Sequence, residues 1–157
     1  MADILKLEKT IWTDADFDKM SWHDNPIYAF SINDNFELLL DIDYIFKWVH
    51  AGKKHFNFWM SPCTLIFENV YDIKFESANT QLTIDFINKQ DPQKPKNSDH
   101  IGREWEYDWD IVMVGGEMCF KSVGYKMFVR REPILSRYQK LSELQRGGIS
   151  FANTYEV

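Results

Sequence analysis

The chain has 157 residues, a formal net charge of −6 and a sequence pI of about 5.2. This length fits one domain with one hydrophobic core, and the excess of acidic residues disfavours nucleic acid and membrane surfaces as partners, since phosphate binders normally present a basic patch. The aromatic share of 16% favours β-sheet, because aromatic side chains suit its pleated, half-buried faces.

The first predicted elements are a helical turn capped by Asp14 and a strand, Ile27–Ile32, that ends at a run of turn-forming residues. Between them, His23 and Asp24 place an imidazole beside a carboxylate, a pairing that serves general bases and metal sites. The same residues also suit a structural role, in which Asp24 forms a turn and Trp22 fills one end of the core. The sequence leaves both interpretations open.

The strongest local pattern is period-two alternation over residues 36–49, where every even position up to 48 is apolar. It predicts one long strand with one face in the core. Asp41 and Asp43 lie on the other face, about 6–7 Å apart given the rise per residue. Paired carboxylates can share a proton or bind a hard cation. The alternative is that the pair simply lies on the solvent face of an antiparallel sheet. Leu39 and Ile45 flank the pair on the same face, so this face is not wholly exposed to solvent. If it is partly buried, the two like charges would require basic partners.

Further alternating segments predict strands at 56–60, 65–76 and 82–86. Residues 88–102 break the pattern, because they contain no apolar residue before Ile101. We therefore predict an exposed, mobile loop at 88–102. Strands are expected on both sides of this loop, so residues 1–157 should form a single β-rich domain.

A hairpin follows, because alternating residues at 103–114 lead into two consecutive glycines. Pairing Val114 with Glu117 sets a register in which Asp110 faces Lys121. One face of the first strand carries four carboxylates in a row, and such a row requires positive groups nearby or on a partner. These four residues, the acidic ridge, are the predicted site for a basic protein partner: Glu104, Glu106, Asp108 and Asp110. The alternative is an ordinary solvated face.

The last part of the chain carries weaker signals. Residues 133–145 show a short helical stripe, and Ser142 begins a sequence with the spacing of a capping box. Two glycines at 147–148 then indicate a sharp turn, after which Ile149 and Phe151 are expected to pack on the sheet.

Signatures of enzymes and of secretion are missing from the sequence. Phosphate loops, nucleophile elbows and zinc-protease motifs do not occur, and Cys63 and Cys119 lie in apolar contexts typical of buried thiols. The charged N-terminus argues against a signal peptide, and no apolar run reaches the roughly 18 residues that a membrane helix needs. These observations predict a cytoplasmic protein without a cofactor and favour a non-enzymatic role.

Four motifs stand out as a set: Trp-His-Asp at 22–24, Leu-Asp-Ile-Asp-Tyr-Ile at 40–45, Phe-Trp-Met-Ser-Pro-Cys-Thr-Leu at 58–65 and Arg-Gly-Gly-Ile-Ser-Phe at 146–151. Together they resemble an uncharacterised bacterial family of single-domain proteins of similar length, over most of the chain. The resemblance implies a bacterial source and a stand-alone domain. Small acidic proteins of this type also resemble immunity proteins, which block a toxin.

The sequence therefore predicts a mostly β fold, either an antiparallel β-sandwich or a curled half-barrel, with about seven to nine strands and one or two short helices. The leading functional hypothesis is a non-enzymatic protein-interaction domain that uses the acidic ridge, with an immunity-like role. The second hypothesis is a domain that binds a small molecule or performs metal-assisted hydrolysis. That function would require four side chains to converge in one pocket: His23, Asp24, Asp41 and Asp43.

Overall fold

The computed structural model describes residues 4–156, apart from the side chains of Ser98 and His100. Within that range ten strands form two antiparallel sheets, which confirms the mostly β, sandwich-like prediction with more strands than expected. The strands are β1 (Ile11–Thr13), β2 (Ile27–Ile32), β3 (Leu38–His50), β4 (Phe56–Glu68), β5 (Tyr71–Ser77), β6 (Ile84–Gln93), β7 (Glu106–Met113), β8 (Gly116–Ser122), β9 (Gly124–Val129) and β10 (Ile134–Ser136). The helices are a 3-10 helix (Asp14–Lys19), α1 (Ser98–Ile101) and α2 (Glu143–Arg146).

The two sheets differ in size and pack face to face. The six-stranded sheet has the order β1-β9-β4-β3-β2, and β10 pairs with the first half of β4. The four-stranded sheet has the order β5-β8-β7-β6. Each sheet contributes the alternate residues of its inner face to one shared core, as two stacked antiparallel sheets do.

The core between the sheets is built around Trp109. Its ring centroid lies 5.1 Å from that of Phe67, 5.5 Å from Phe17 and 5.8 Å from Tyr125. Its indole N–H donates a hydrogen bond to the Ser122 carbonyl at 3.0 Å. Edge-to-face aromatic pairs stabilise the core beyond the burial of their area, so this aromatic cluster helps to hold the two sheets together.

The six-stranded sheet is buried on both faces at its centre. The even positions of β3 from 38 to 44 enter the core between the sheets, whereas Ile45 joins a second cluster with Phe58, Met60 and Leu141. Residues 131–152, which we call the C-terminal strap, begin with β10 at the edge of β4 and then cross this outer face from Leu141 to Ser150. Asp41, Asp43 and Ile45 therefore face protein rather than solvent.

The predicted loop at 88–102 is wrong for its first six residues. β6 runs to Gln93 and pairs with β7. Because β6 is an edge strand, Pro92 is tolerated there, and a bulge between Gln90 and Gln93 accommodates the left-handed φ of 52° at Asp91. An edge strand with a polar outer face needs few apolar residues, which is why its composition indicated a loop.

The β7–β8 hairpin has the predicted faces but a different register. Met113 pairs with Gly116, so the two-residue turn begins one position earlier than predicted. Lys121 consequently faces Asp108 rather than Asp110. The register differs by two residues, and a shift of two leaves every side chain on its predicted face. A Cβ on Gly116 would lie 2.1 Å from a backbone oxygen of β5, so this position requires glycine.

The helix predictions hold only in part, and the helical stripe predicted at 133–145 is wrong before Ser142, since Ile134–Ser136 form β10. Thr13, rather than Asp14, caps the 3-10 helix, because Asp14 instead accepts hydrogen bonds from Arg103 and the Tyr125 N–H. The predicted capping box is confirmed at the start of α2, where Ser142 and Gln145 bond reciprocally.

The predicted packing of the final apolar residues is wrong for one of them. Ile149 is 64% exposed, and Phe151 is half-buried. Polar groups attach this part of the strap instead, because β3 presents carboxylates rather than an apolar surface beneath it. The Ser150 N–H donates to Asp41, and the Ala152 carbonyl accepts from the Thr64 hydroxyl.

Candidate functional site

Four charged side chains meet beneath the strap, and we call them the buried quartet: Asp41, Asp43, Arg130 and Arg146. The two aspartate side chains have no exposed surface, and the arginine side chains are 5% and 2% exposed. The two carboxylates lie two residues apart on β3, so the strand pleat directs both toward the strap. Arg130 follows β9, and Arg146 ends α2.

Asp41 is bonded on both carboxylate oxygens. Its Oδ1 accepts from Arg130 Nη2 and from Arg146 Nη2, both at 2.7 Å. Its Oδ2 accepts from Arg146 Nη1 and from the Ser150 backbone N–H, both at 3.0 Å. A carboxylate offers about four acceptor sites, so Asp41 has no capacity left for a metal ion or a substrate.

Asp43 is also fully engaged. Its Oδ1 accepts from Arg146 Nε at 3.2 Å, and its Oδ2 accepts from the Leu141 N–H at 3.0 Å and from the Tyr28 hydroxyl. Burial raises the pKa of the Asp43 carboxyl, and these hydrogen bonds oppose the rise. Burial also raises the pKa of the Tyr28 hydroxyl, as does its bond to Asp43, so Tyr28 remains a donor at neutral pH.

The quartet is neutral as a unit, since two carboxylates are balanced by two guanidinium groups. This is the basic partnership that burial of the aspartate pair demands, because an isolated buried charge is strongly destabilising. Its donors and acceptors are directed at one another. The arrangement attaches the strap to the sheet and leaves no free group for proton transfer.

His23 lies in a different environment from the buried aspartates. Its Nε2 is 3.2 Å from an Asp24 oxygen, its Nδ1 is 3.2 Å from an Asp85 oxygen, and its side chain is 57% exposed. Among the contacts of the described residues, none joins His23 to Asp41 or Asp43. The four residues of the hydrolase hypothesis therefore form two separate pairs.

The neighbours of His23 have structural roles. Asp24 adopts a left-handed φ of 65° and accepts from Gln139 Nε2 at 2.7 Å. Trp22 is buried against Tyr44 and Tyr125. These positions fit the turn and the core plug that the sequence offered as the alternative interpretation.

The acidic ridge is interrupted. Glu106 is 2% exposed and accepts a hydrogen bond from the Tyr71 hydroxyl, while Lys96 Nζ lies 5.5 Å from the centroid of the Tyr71 ring. Glu104 is exposed but precedes β7. Asp108 is bound by Lys121, with 2.6 Å between Nζ and Oδ1. The sequence did not indicate the burial of Glu106, because it depends on Tyr71 from another strand.

A wider acidic surface nevertheless exists on the outer side of the four-stranded sheet. Besides the buried Glu106, the strand registers place four carboxylates on this side, in the described part of the chain, together with Lys74 and Lys121. We call this surface the acidic face, and its carboxylates belong to Glu76, Asp108, Asp110 and Glu117.

Three side chains of the acidic face form a tight cluster. Ligand-type atoms of Asp110, Glu117 and Cys119 all lie within 4.8 Å of one another, and the Cys119 thiol is 3.3 Å from Asp110 Oδ1. Burial and the two carboxylates raise the pKa of Cys119 to about 12. The thiol is therefore protonated at neutral pH, whereas nucleophiles and zinc ligands require the thiolate.

Alkylation of Cys119 should accordingly be slow and steeply dependent on pH. At pH 8 we expect iodoacetamide to react at least about 100-fold more slowly than with an ordinary exposed cysteine, because the thiolate fraction is smaller. The rate should rise about tenfold per pH unit between pH 8 and 10, since the group titrates above that range. Peptide mapping by mass spectrometry distinguishes Cys119 from the buried Cys63.

Removal of the adjacent charges provides the control. The double variant Asp110→Asn with Glu117→Gln should react faster at pH 8, since both carboxylates disfavour the thiolate. A wild-type rate that levels off below pH 9, or a double variant that reacts no faster, would contradict this account of Cys119.

The sequence predicted that the aspartate pair would need basic partners if it were buried. It did not indicate that Arg130, Arg146 and Tyr28 are the residues that bind the pair. Arg130 and Arg146 are far from Asp41 and Asp43 in the chain, and the sequence shows no pairing signal for them. Tyr28 lies on the neighbouring β2, only 15 residues from Asp43, but a bulge in the β2–β3 pairing hides its position opposite the pair. The fold and the site together define an antiparallel β-sandwich whose larger sheet is closed by an ion-paired strap.

Comparisons of the chain with family models, curated proteins and solved structures found no match. None of the described helices has the length and apolar character needed to cross a membrane.

Proposed function

We propose that this protein is a non-enzymatic interaction domain that binds a basic protein partner on its acidic face. The observation that carries the proposal is the difference between the two outer sheet surfaces. The strap covers the larger sheet, whereas the acidic face holds four carboxylates against two lysines and no described element buries its centre. Opposite charge on a partner would favour rapid encounter and correct orientation.

The charges available to a partner are concentrated on one side of this face. Lys121 is engaged by Asp108, whereas Glu76, Asp110 and Glu117 form no salt bridge among the described residues. Phe86 on the neighbouring β6 is 44% exposed and pairs across from Val112. Aromatic residues next to charges are typical of protein interfaces.

The hydrolase alternative finds little support in the same geometry. The buried quartet is saturated and neutral, and His23 lies apart from it. An immunity-like role in a bacterial cytoplasm, as the resemblance of the sequence implies, would need no catalytic group. It would require only a surface that complements and blocks a basic toxin.

Charge reversal on the acidic face tests the proposal. The partner is first captured from the source cytoplasm on the wild-type protein, and its affinity is then measured with purified components. Asp110→Lys with Glu117→Lys should weaken binding about a hundredfold or more, because like charges would then face one another. Binding should also weaken as salt is raised, since exposed charges are screened.

The matched control reverses two acidic residues elsewhere on the surface, Asp34→Lys with Glu132→Lys, and changes the net charge equally. This control should retain binding. A partner that binds the Asp110→Lys with Glu117→Lys variant as tightly as the wild type would show that the interface lies elsewhere, and equal losses in both double variants would show that only net charge matters.

A further inference from the structure

A second surface feature lies on the opposite side of the molecule, where a cavity opens between β2 and the strap. It is a cleft of about 1130 Å³, which is enough for a drug-sized molecule, since such sites typically measure about 300–1000 Å³. It is separate from the acidic face, because the two occupy the outer sides of different sheets.

The floor of the cleft is rigid and aromatic. The Tyr28 ring is covered by the Arg146 guanidinium, whose carbon lies 3.5 Å from the ring centroid. The Tyr28 hydroxyl is held by Asp43, and Arg146 is held by both quartet aspartates. Because the quartet fixes both groups, the floor is formed before any ligand arrives and requires little ordering on binding.

The walls of the cleft combine apolar and cationic groups. Leu135 and Ile149 supply exposed apolar surface, and the buried Leu141 lies behind them. Arg137 and Lys140 also line the cleft, and neither forms a salt bridge among the described residues. The Lys140 ammonium lies 5.2 Å from the centroid of the Tyr28 ring, so it is positioned over the floor.

The charges in the cleft favour an anion. Arg146 is neutralised by the buried aspartates, so the groups that determine the local charge are two free cations and one carboxylate, Glu143. We propose that the cleft binds a small organic anion with an aromatic or fused-ring body. The ring would lie between Tyr28 and the apolar walls, and a carboxylate, sulfonate or phosphate would bind Lys140 and Arg137.

Anilinonaphthalene sulfonate is a suitable probe, because it joins a fused aromatic body to one anionic group and fluoresces when it enters an apolar site. We expect saturable binding with one site per folded protein. Lys140→Gln and Arg137→Gln should each weaken binding about tenfold, as expected when a charge-assisted contact is lost. Lys74→Gln, on the acidic face, is the matched control and should leave the affinity unchanged.

A neutral probe separates the charge from the ring. N-phenylnaphthylamine lacks the sulfonate, so its binding should be insensitive to Lys140→Gln and Arg137→Gln. Near-ultraviolet circular dichroism of each variant ensures that the dye reports a folded protein. Absence of saturable binding to the folded protein, or equal affinities in the wild type and both cleft variants, would overturn the proposal.

A second copy of the chain is the competing occupant. The proposal is wrong if the wild-type protein is a dimer that does not bind the dye and Ile149→Asp gives a monomer that does. The cleft would then be a self-association surface. The proposed function is tested by different variants on the opposite sheet, so either proposal can fail without the other.

Discussion

Replacing Arg146 with methionine should lower the free energy of unfolding by about 3–5 kcal/mol, the typical effect of removing one partner from a buried ion pair. Methionine can occupy much of the same space but donates no hydrogen bond. Asp41 would then have only Arg130 as a cationic partner, and Asp43 would have none, although both carboxylates remain buried. Equilibrium unfolding in urea, followed by tryptophan fluorescence, measures the change.

Arg131→Met is the matched control. Arg131 pairs with the exposed Glu156 at 3.2 Å, and exposed pairs of this kind contribute about 1 kcal/mol or less. Adding Asp43→Asn to Arg146→Met should restore part of the lost stability, because it removes one of the uncompensated charges. If the two arginine variants lost the same small amount of stability, the quartet would not be buried as described.

Trp109→Ala is expected to have an effect of similar size, about 3–5 kcal/mol, because it removes a large side chain from the centre of the core and leaves a cavity. Trp109 is 1% exposed, it contacts four aromatic rings, and its N–H would no longer satisfy the Ser122 carbonyl. Thermal and chemical unfolding of the variant give the magnitude.

Trp105 offers a control with the same substitution four residues earlier. It is 51% exposed, so Trp105→Ala should change stability by less than about 0.5–1 kcal/mol. Trp109→Phe should lie between the wild type and Trp109→Ala, since it keeps part of the buried ring. Equal effects of the two alanine substitutions would contradict the inward orientation of Trp109.

The fold class could be predicted because period-two alternation is a local property. The alternation over residues 38–44 of β3 and through β7 indicated correctly which side chains share a face. A bulge between Ile45 and Lys47 then moves Trp48 to the other face, against Phe58, so the predicted core face ends before Trp48. Register was less accessible, because a shift of two residues in the β7–β8 hairpin preserves every face and changes only the pairs. The start of β6 was predicted, but its continuation over residues 88–93 was missed because an edge strand buries little apolar surface.

The candidate sites were predictable only in part. The neighbours of Asp41 and Asp43 indicated that burial would demand positive charge. The identity of that charge was not accessible, since Arg130 and Arg146 lie 89 and 105 residues from Asp41 in the sequence. The cleft was equally hidden, because Tyr28 and Lys140 are brought together only by the strap.

The attachment of the strap through charges has a consequence for the order of assembly. The β3–β4 and β7–β8 hairpins join sequence neighbours, whereas the quartet joins residues about a hundred positions apart, and distant contacts form late because their loops are costly to close. Until the strap arrives, Asp41 and Asp43 are hydrated and keep an exposed sheet surface soluble. The same carboxylates that lock the finished protein would therefore keep this face of the sheet polar in any chain whose strap has not yet docked.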